Sequence, residues 1–237
     1  MLDSHCHFDA SRFDPDRDAC EERARAVGVD RVLVPGVSED QWATLRQEAP
    51  RRGWLFALGT HPRVLPTSLA VPRDLSGACA IGECGLDRGV PVAMDVQERV
   101  LEAHLAVARE AGLPVLLHCV RAHDRLVPLL RRWGPVRGVL HSYSGGAELV
   151  REYLALGLHF SFAGVITHDN ARKPLHALQR VPRERLLVET DAPDQCPRPR
   201  HGRNEPAFLP LVVAAMERVR GEPLRDQLEE NARSLGW

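Results

Sequence analysis

Two histidines separated by a single residue stand near the start of the chain, in Asp3-Ser-His5-Cys-His7-Phe-Asp9. An extended strand sends alternate side chains to one face, so His5 and His7 project together and can share a metal ion. Four more potential ligands, Glu83, His118, His141 and Asp191, each close a short apolar run. Taken singly, each has a plain alternative: a buried histidine is usually a hydrogen-bonded core residue, and a strand-end acid is often a helix cap. The alternative weakens for the set, because burying so many ionisable groups together without an ion is costly. Two divalent ions about 3.5–4 Å apart activate a bridging water and polarise the electrophile. Asp191 can accept the proton of that water and deliver it to the leaving group. The chemistry expected is hydrolysis.

Eight strand-like runs position these residues: Leu2 to His7, Arg31 to Gly36, Trp54 to His61, Cys79 to Gly85, Pro114 to Val120, Gly138 to Ser144, His159 to Gly164 and Leu186 to Asp191. Helical patterns lie between them. Met94, Leu101, Leu105 and Ala108 fall on one face, and Gly112 then Pro114 mark the stop. Pro206 suits the first turn of a later helix with an apolar stripe of Leu209, Val212, Val213 and Met216, and Leu224, Leu228 and Leu235 give the last helix a similar face. Strands that alternate with helices read as an α/β chain, a (β/α)8 TIM barrel in one domain over residues 1–237. The run after the first strand holds no Gly-rich nucleotide loop, and Pro197 to Arg203 reads as a loop over the site.

In such a barrel the active site lies where the loops after the strands converge, and closure brings strand eight beside strand one. That predicts one ion on His5, His7 and Asp191, a second between His118 and His141, and Glu83 as the bridge. Cys6, Cys84 and Cys119 neighbour proposed ligands and point to the opposite face, which argues against ligation. The six cysteines form no Cys-x-x-Cys pair and are read as reduced thiols.

Composition narrows the partners. The 237 residues are 44% hydrophobic, enough for one sizeable core, and no apolar run approaches the roughly 20 residues of a membrane span. The start lacks the basic and apolar regions of a signal peptide, so a cytoplasmic protein is expected. With 31 basic and 32 acidic residues the net charge is −1, so no global positive field advertises nucleic acid. Aromatic content of 5% argues against an extended stacking platform and for binding at strand ends.

The chain resembles the TatD family of metal-dependent deoxyribonucleases, within the metallo-dependent hydrolase superfamily. The resemblance rests on Asp3-Ser-His-Cys-His-Phe-Asp9, Gly59-Thr-His-Pro62, Ala80-Ile-Gly-Glu-Cys-Gly-Leu-Asp87 and Leu113-Pro-Val-Leu-Leu-His118. It continues through Leu140-His-Ser-Tyr-Ser-Gly145, Glu189-Thr-Asp-Ala-Pro193 and Arg203-Asn-Glu-Pro206. It implies divalent-metal phosphodiester hydrolysis on DNA, often from the 3′ end, with metal on His5, His7, Glu83, His118, His141 and Asp191. Related barrels bridge their metals with a carbamylated lysine. Lys173, the only lysine, lies outside the strand ends, so Glu83 must bridge if two ions bind. His104 stands where a glutamine is common, a departure expected to bear on packing.

Around the metals, His61 reads as a substrate-phosphate contact or as support for a ligand, with loop bracing as the competing role. Arg121, His123 and Asp124 are candidates for the substrate cleft, as are His168 and Asn170, against solvated loop or cap positions. Arg203, followed by Asn204 and Glu205, can grip phosphate bidentately or pin its loop through an ion pair. The expected cofactors are two divalent ions: four imidazoles suit zinc, manganese, nickel or iron, while magnesium serves the resembling family. The expected substrate is DNA, single-stranded or at 3′ ends, handled by a monomer away from membranes. A D-aminoacyl-tRNA deacylase, a small-molecule amidohydrolase or lactonase, and a non-catalytic nucleic-acid binder or scaffold remain the alternatives.

Overall fold

The computed structural model describes residues 1–65 and 69–237. They group into two compact units, one of Met1–Val34, Ser142–Val150 and Phe160–Trp237, the other of Pro35–His141 and Arg151–His159.

In the first unit, β1 (Leu2–Asp3) pairs in parallel with β2 (Arg31–Pro35), Leu2 opposite Arg31. Most of β7 (Leu158–Phe162) also belongs here, and it pairs with β8 (Leu186–Val188), Phe160 opposite Leu186. The Ser4 amide donates to the Val188 carbonyl at 3.1 Å, so β8 runs beside the segment leaving β1. The order within this unit is therefore β7-β8-β1-β2, the return of strand eight to strand one expected from the sequence. Helices α1 (Arg17–Ala26), α6 (Arg172–Arg180), α7 (Leu209–Arg220) and α8 (Arg225–Ser234) belong to the same unit. The stripe Leu209, Val212, Val213 and Met216 is buried, as are Leu224, Leu228 and Leu235.

The second unit orders β3 (Leu55–Leu58), β4 (Ala80–Asp87), β5 (Val115–Val120) and β6 (Gly138–Leu140) side by side, all parallel. With them go α2 (Glu39–Arg52), α3 (Met94–Ala111), α4 (His123–Trp133) and most of α5 (Val150–Ala155). Leu101, Leu105 and Ala108 bury the inner face of α3, and Gly112 ends it in the left-handed conformation that glycine adopts without strain. The ladder between β4 and β5 shifts register between Ile81 and Cys84, the kind of bulge that re-aims a side chain, here at Glu83. Gly59 makes this possible: a β-carbon there would lie 2.5 Å from the Gly82 Cα.

Several strands are shorter than their apolar runs. Leu2 to His7 yields Leu2–Asp3, Trp54 to His61 yields Leu55–Leu58, Gly138 to Ser144 yields Gly138–Leu140, and Leu186 to Asp191 yields Leu186–Val188. Part of the reason is chemical: beyond the strand ends, side chains capture backbone amides that a ladder would use. Thr190 N donates to the Asp3 carboxylate at 2.9 Å, and Ser142 N donates to Glu189 Oε1 at 2.6 Å.

Candidate metal centre

The first unit gathers His5, His7 and Asp191. The two Nε2 atoms are 3.4 Å apart, and Asp191 Oδ1 lies 3.7 Å from that of His5 and 3.5 Å from that of His7. Ligands about 2.0–2.1 Å from a tetrahedral ion are about 3.4 Å from one another. Two imidazole nitrogens and a carboxylate oxygen at this spacing fit a divalent cation. Local backbone chemistry sets the spacing. Asp191 holds φ 54°, a left-handed conformation that aspartate tolerates, and its amide donates to the His5 carbonyl at 2.9 Å. The His7 amide donates to the Ala192 carbonyl at 2.8 Å, and Gln195 Nε2 donates to Asp191 Oδ2. Beneath them the Asp3 carboxyl meets Thr190 Oγ1 at 2.5 Å and accepts from the Thr190 amide. Burial pushes the Asp3 carboxyl up to about 8, against the pull of the Thr190 hydrogen bonds.

The second unit gathers three imidazoles around a single carboxylate oxygen. Glu83 Oε1 is 2.8 Å from His118 Nδ1, 3.0 Å from His141 Nε2 and 3.2 Å from His61 Nε2. His118 Nδ1 and His141 Nε2 are themselves 3.0 Å apart. Octahedral ligands about 2.1 Å from their ion sit about 3.0 Å from one another, so this donor set also fits a divalent cation. Burial opposes ionisation of Glu83, but the facing charges of His141 and His61 and the hydrogen bonds from His118 and His141 hold its carboxyl well below the usual range. Burial lowers the pKa of His61 despite that carboxylate. For His118 burial also acts downward, yet its bonds to Asp87 and Glu83 prevail and raise it.

The remaining candidates separate clearly. His61 is buried, accepts from the Arg63 amide through Nδ1 at 2.9 Å, and turns Nε2 to Glu83. It therefore supports the second cluster from within. Arg121 is exposed at the end of β5 with φ 52°, three residues beyond His118. His123 Nδ1 meets the Tyr153 hydroxyl at 2.8 Å, and Asp124 takes a bidentate grip from Arg88 at 2.6 Å. His168 Nε2 bonds the Cys196 carbonyl at 3.0 Å, and Asn170 is exposed. Arg203 spends its guanidinium on Asp16, at 2.6 and 2.8 Å, and on the Arg12 carbonyl, and it covers the Phe13 ring. That is the loop-pinning arrangement. Asn204 braces the same loop through the Thr190 and Asp194 carbonyls, and Glu205 pairs with Arg23. Cys6 and Cys84 direct their thiols to the carbonyls of Ala192 and Leu116, and Cys119 directs its thiol to His123. Lys173 lies on α6.

Sequence reasoning gave no role to Asp3, Asp87 or Gln195, although all three lie in or beside the quoted motifs. His104, expected to matter for packing, also carries specific hydrogen bonds. Buried on α3, it accepts from the Thr60 amide at 3.1 Å through Nε2 and donates to the Val100 carbonyl at 2.8 Å through Nδ1.

Known proteins resemble the chain over nearly its whole length. The family model described as "TatD related DNase" matches residues 2–235. A "3'-5' ssDNA/RNA exonuclease TatD" from Klebsiella pneumoniae is 37% identical, covering 99% of this chain and 97% of the relative. The metal-dependent hydrolase YabD of Bacillus subtilis is 32% identical over 99% of this chain and 98% of its own length. The crystal structure of YJJV, a TatD homolog from Escherichia coli K12, superposes with a TM-score of 0.90 at 31% identity, covering 99% of this chain and 97% of that one. The eight strands alternating with helices are thus those of a (β/α)8 TIM barrel.

Proposed function

Because the chain belongs to the TatD family of metal-dependent hydrolases, we propose that it cleaves DNA phosphodiester bonds, working from the 3′ ends of single strands with two divalent ions of magnesium, manganese or zinc. The observation that carries this reading is the pair of ligand clusters, each with nitrogens and a carboxylate oxygen at metal-ligand spacing. His5, His7 and Asp191 would hold one ion, and Glu83, His118 and His141 the other. Bound divalent metal supplies Lewis acidity at the phosphoryl oxygen and a water acidic enough to attack near neutral pH.

The protein's own groups do the rest. Asp191 accepts the proton of the attacking water at its carboxylate and returns it to the departing 3′ oxygen. His61, donating from Nε2 to Glu83, keeps that carboxylate aimed at its cluster. The exposed guanidinium of Arg121 takes a phosphate of the bound strand, and the His123 ring, fixed by Tyr153, borders the same place. The exposed large apolar side chains among the described residues are Val27 and Leu69, neither of them a ring on which bases stack. A short grip on a strand end suits that surface better than a long groove. No described helix is long and apolar enough to cross a membrane, and we place the protein in the cytoplasm as a monomer.

The test strips metal with a chelator, restores magnesium, manganese or zinc, and follows 5′-labelled single-stranded DNA beside closed single-stranded circles, D-aminoacyl-tRNA and small lactones. Stepwise shortening of the linear strand with the circle spared is expected. Equal cleavage of the circle would overturn the end-directed reading. Ester or lactone turnover without any DNA hydrolysis would overturn the substrate.

A further inference from the structure

His118 lies between two carboxylates. Its Nδ1 faces Glu83 Oε1 at 2.8 Å, while its Nε2 faces Asp87 Oδ2 at 3.4 Å. Asp87 closes β4 and is buried. Its main chain is clamped by one side chain: the Asp87 amide donates to Gln97 Oε1 at 2.7 Å, and Gln97 Nε2 donates to the Asp87 carbonyl at 3.0 Å. The same Gln97 nitrogen also donates to the Val92 carbonyl at 2.9 Å, and Gln97 is fully buried on α3. The Asp87 side chain is fixed as well, because Oδ1 accepts from the Gly89 amide at 2.6 Å. A β-carbon at position 89 would stand 2.9 Å from that oxygen, so the absence of a side chain there permits the approach. Three hydrogen bonds thus hold Asp87, and its carboxylate with it, against the edge of one imidazole.

A neutral imidazole has one nitrogen that donates and one that accepts, and the partner of the first decides which is left for a metal. Histidines that bind metal commonly donate their other N–H to a carboxylate, which fixes the ring and strengthens the ligand. We infer that Asp87 is a positioning residue for His118: it accepts the Nε2 proton, so that Nδ1 keeps its lone pair turned to the ion. Gln97 and Gly89 are the scaffold that keeps Asp87 at that edge. The inference rests on the reading of Glu83, His118 and His141 as metal ligands and adds the group that aims one of them.

Zinc is the probe, because it is diamagnetic and binds imidazole well. Titration calorimetry on metal-free Asp87→Asn and Asp87→Leu should show zinc affinity reduced about 10–100-fold, more for leucine than for asparagine. In the zinc-loaded wild type, nitrogen-resolved NMR should find a slowly exchanging proton on His118 Nε2; in the variants it should exchange fast or vanish. Asparagine preserves the shape of the site, so it carries the test if the leucine variant fails to fold. Unchanged zinc affinity together with a preserved Nε2 proton in Asp87→Asn would overturn the inference. So would unchanged affinity with a raised KM for DNA, which would put Asp87 against substrate instead. Failure of the wild type to bind zinc at His118 at all would overturn the metal-ligand reading beneath it, a distinguishable result.

Discussion

The two ligand clusters are built on opposite plans. In the second unit, three imidazoles converge on one oxygen of Glu83 at 2.8–3.2 Å, and that carboxylate is 2% exposed. Three ring nitrogens face one carboxylate oxygen at hydrogen-bonding range. In the first unit the spacings are 3.4–3.7 Å, His7 is 26% exposed and Asp191 13%. Backbone conformation and Gln195 aim the Asp191 carboxylate, and it retains access to water. Under the proposed function the contrast separates two tasks: the closed cluster would grip one ion, and the open one would exchange a proton while gripping another.

Breaking the closed cluster should cost most. Glu83→Gln removes the carboxylate on which the three rings converge, and loss of one member of a buried, hydrogen-bonded charged set costs about 3–5 kcal/mol. The expected outcome is loss of one equivalent of bound metal by elemental analysis, with no detectable hydrolysis. Retention of the full metal content would mean that the histidines hold the ion unaided. Asp191→Asn sharpens the comparison from the other side. It keeps an oxygen for the ion but cannot take a proton, so kcat should fall by about 10²–10⁴ with metal content largely kept. If instead metal is lost in step with activity, the open cluster has no separate proton-handling role.

The ligands of both sites were legible in the sequence. The six ligand candidates stood out because an imidazole or carboxylate ended each apolar run, and the structure does bring His5 to Asp191 and Glu83 to His118 and His141. The strand lengths were not legible. An apolar run reads the same whether its last amides bond a neighbouring strand or the carboxylates of Asp3 and Glu189, which lie far away in sequence. Arg203 stood between two roles for the same reason, since its partner Asp16 is 187 positions distant. Local spacing shows which residues end a strand, but not which remote side chain they meet.

His104 tests whether the closed cluster is braced through its loop. Burial drives this imidazole's pKa down to about 4 from an ordinary value of 6.5. The unfolded chain therefore binds the proton more readily. The stabilisation is full above pH 6.5, declines as pH falls through that window, and is gone below about 4. The shift corresponds to roughly 3 kcal/mol, lost over that interval. Glutamine can accept from Thr60 and donate to Val100 without titrating. Denaturant unfolding of His104→Gln between pH 7 and pH 4 should show a correspondingly shallower slope. Parallel slopes would mean that His104 contributes nothing to the acid limb.

The smallest expected effect sets one arginine near each cluster against the other. Arg121 is an exposed residue beyond His118, whereas Arg203 is already engaged by Asp16 and the Arg12 carbonyl. A cation that neutralises one phosphate of a single strand contributes about 0.7 to the slope of log affinity against log salt. Arg121→Gln should lower that slope by about this amount and raise KM for single-stranded DNA, while kcat on a small phosphodiester stays put. Arg203→Gln should leave the salt slope where it is, because its charge is spent within the loop. A reduced slope in Arg203→Gln, with none in Arg121→Gln, would exchange their assignments and place the strand's backbone beside Asp191's loop.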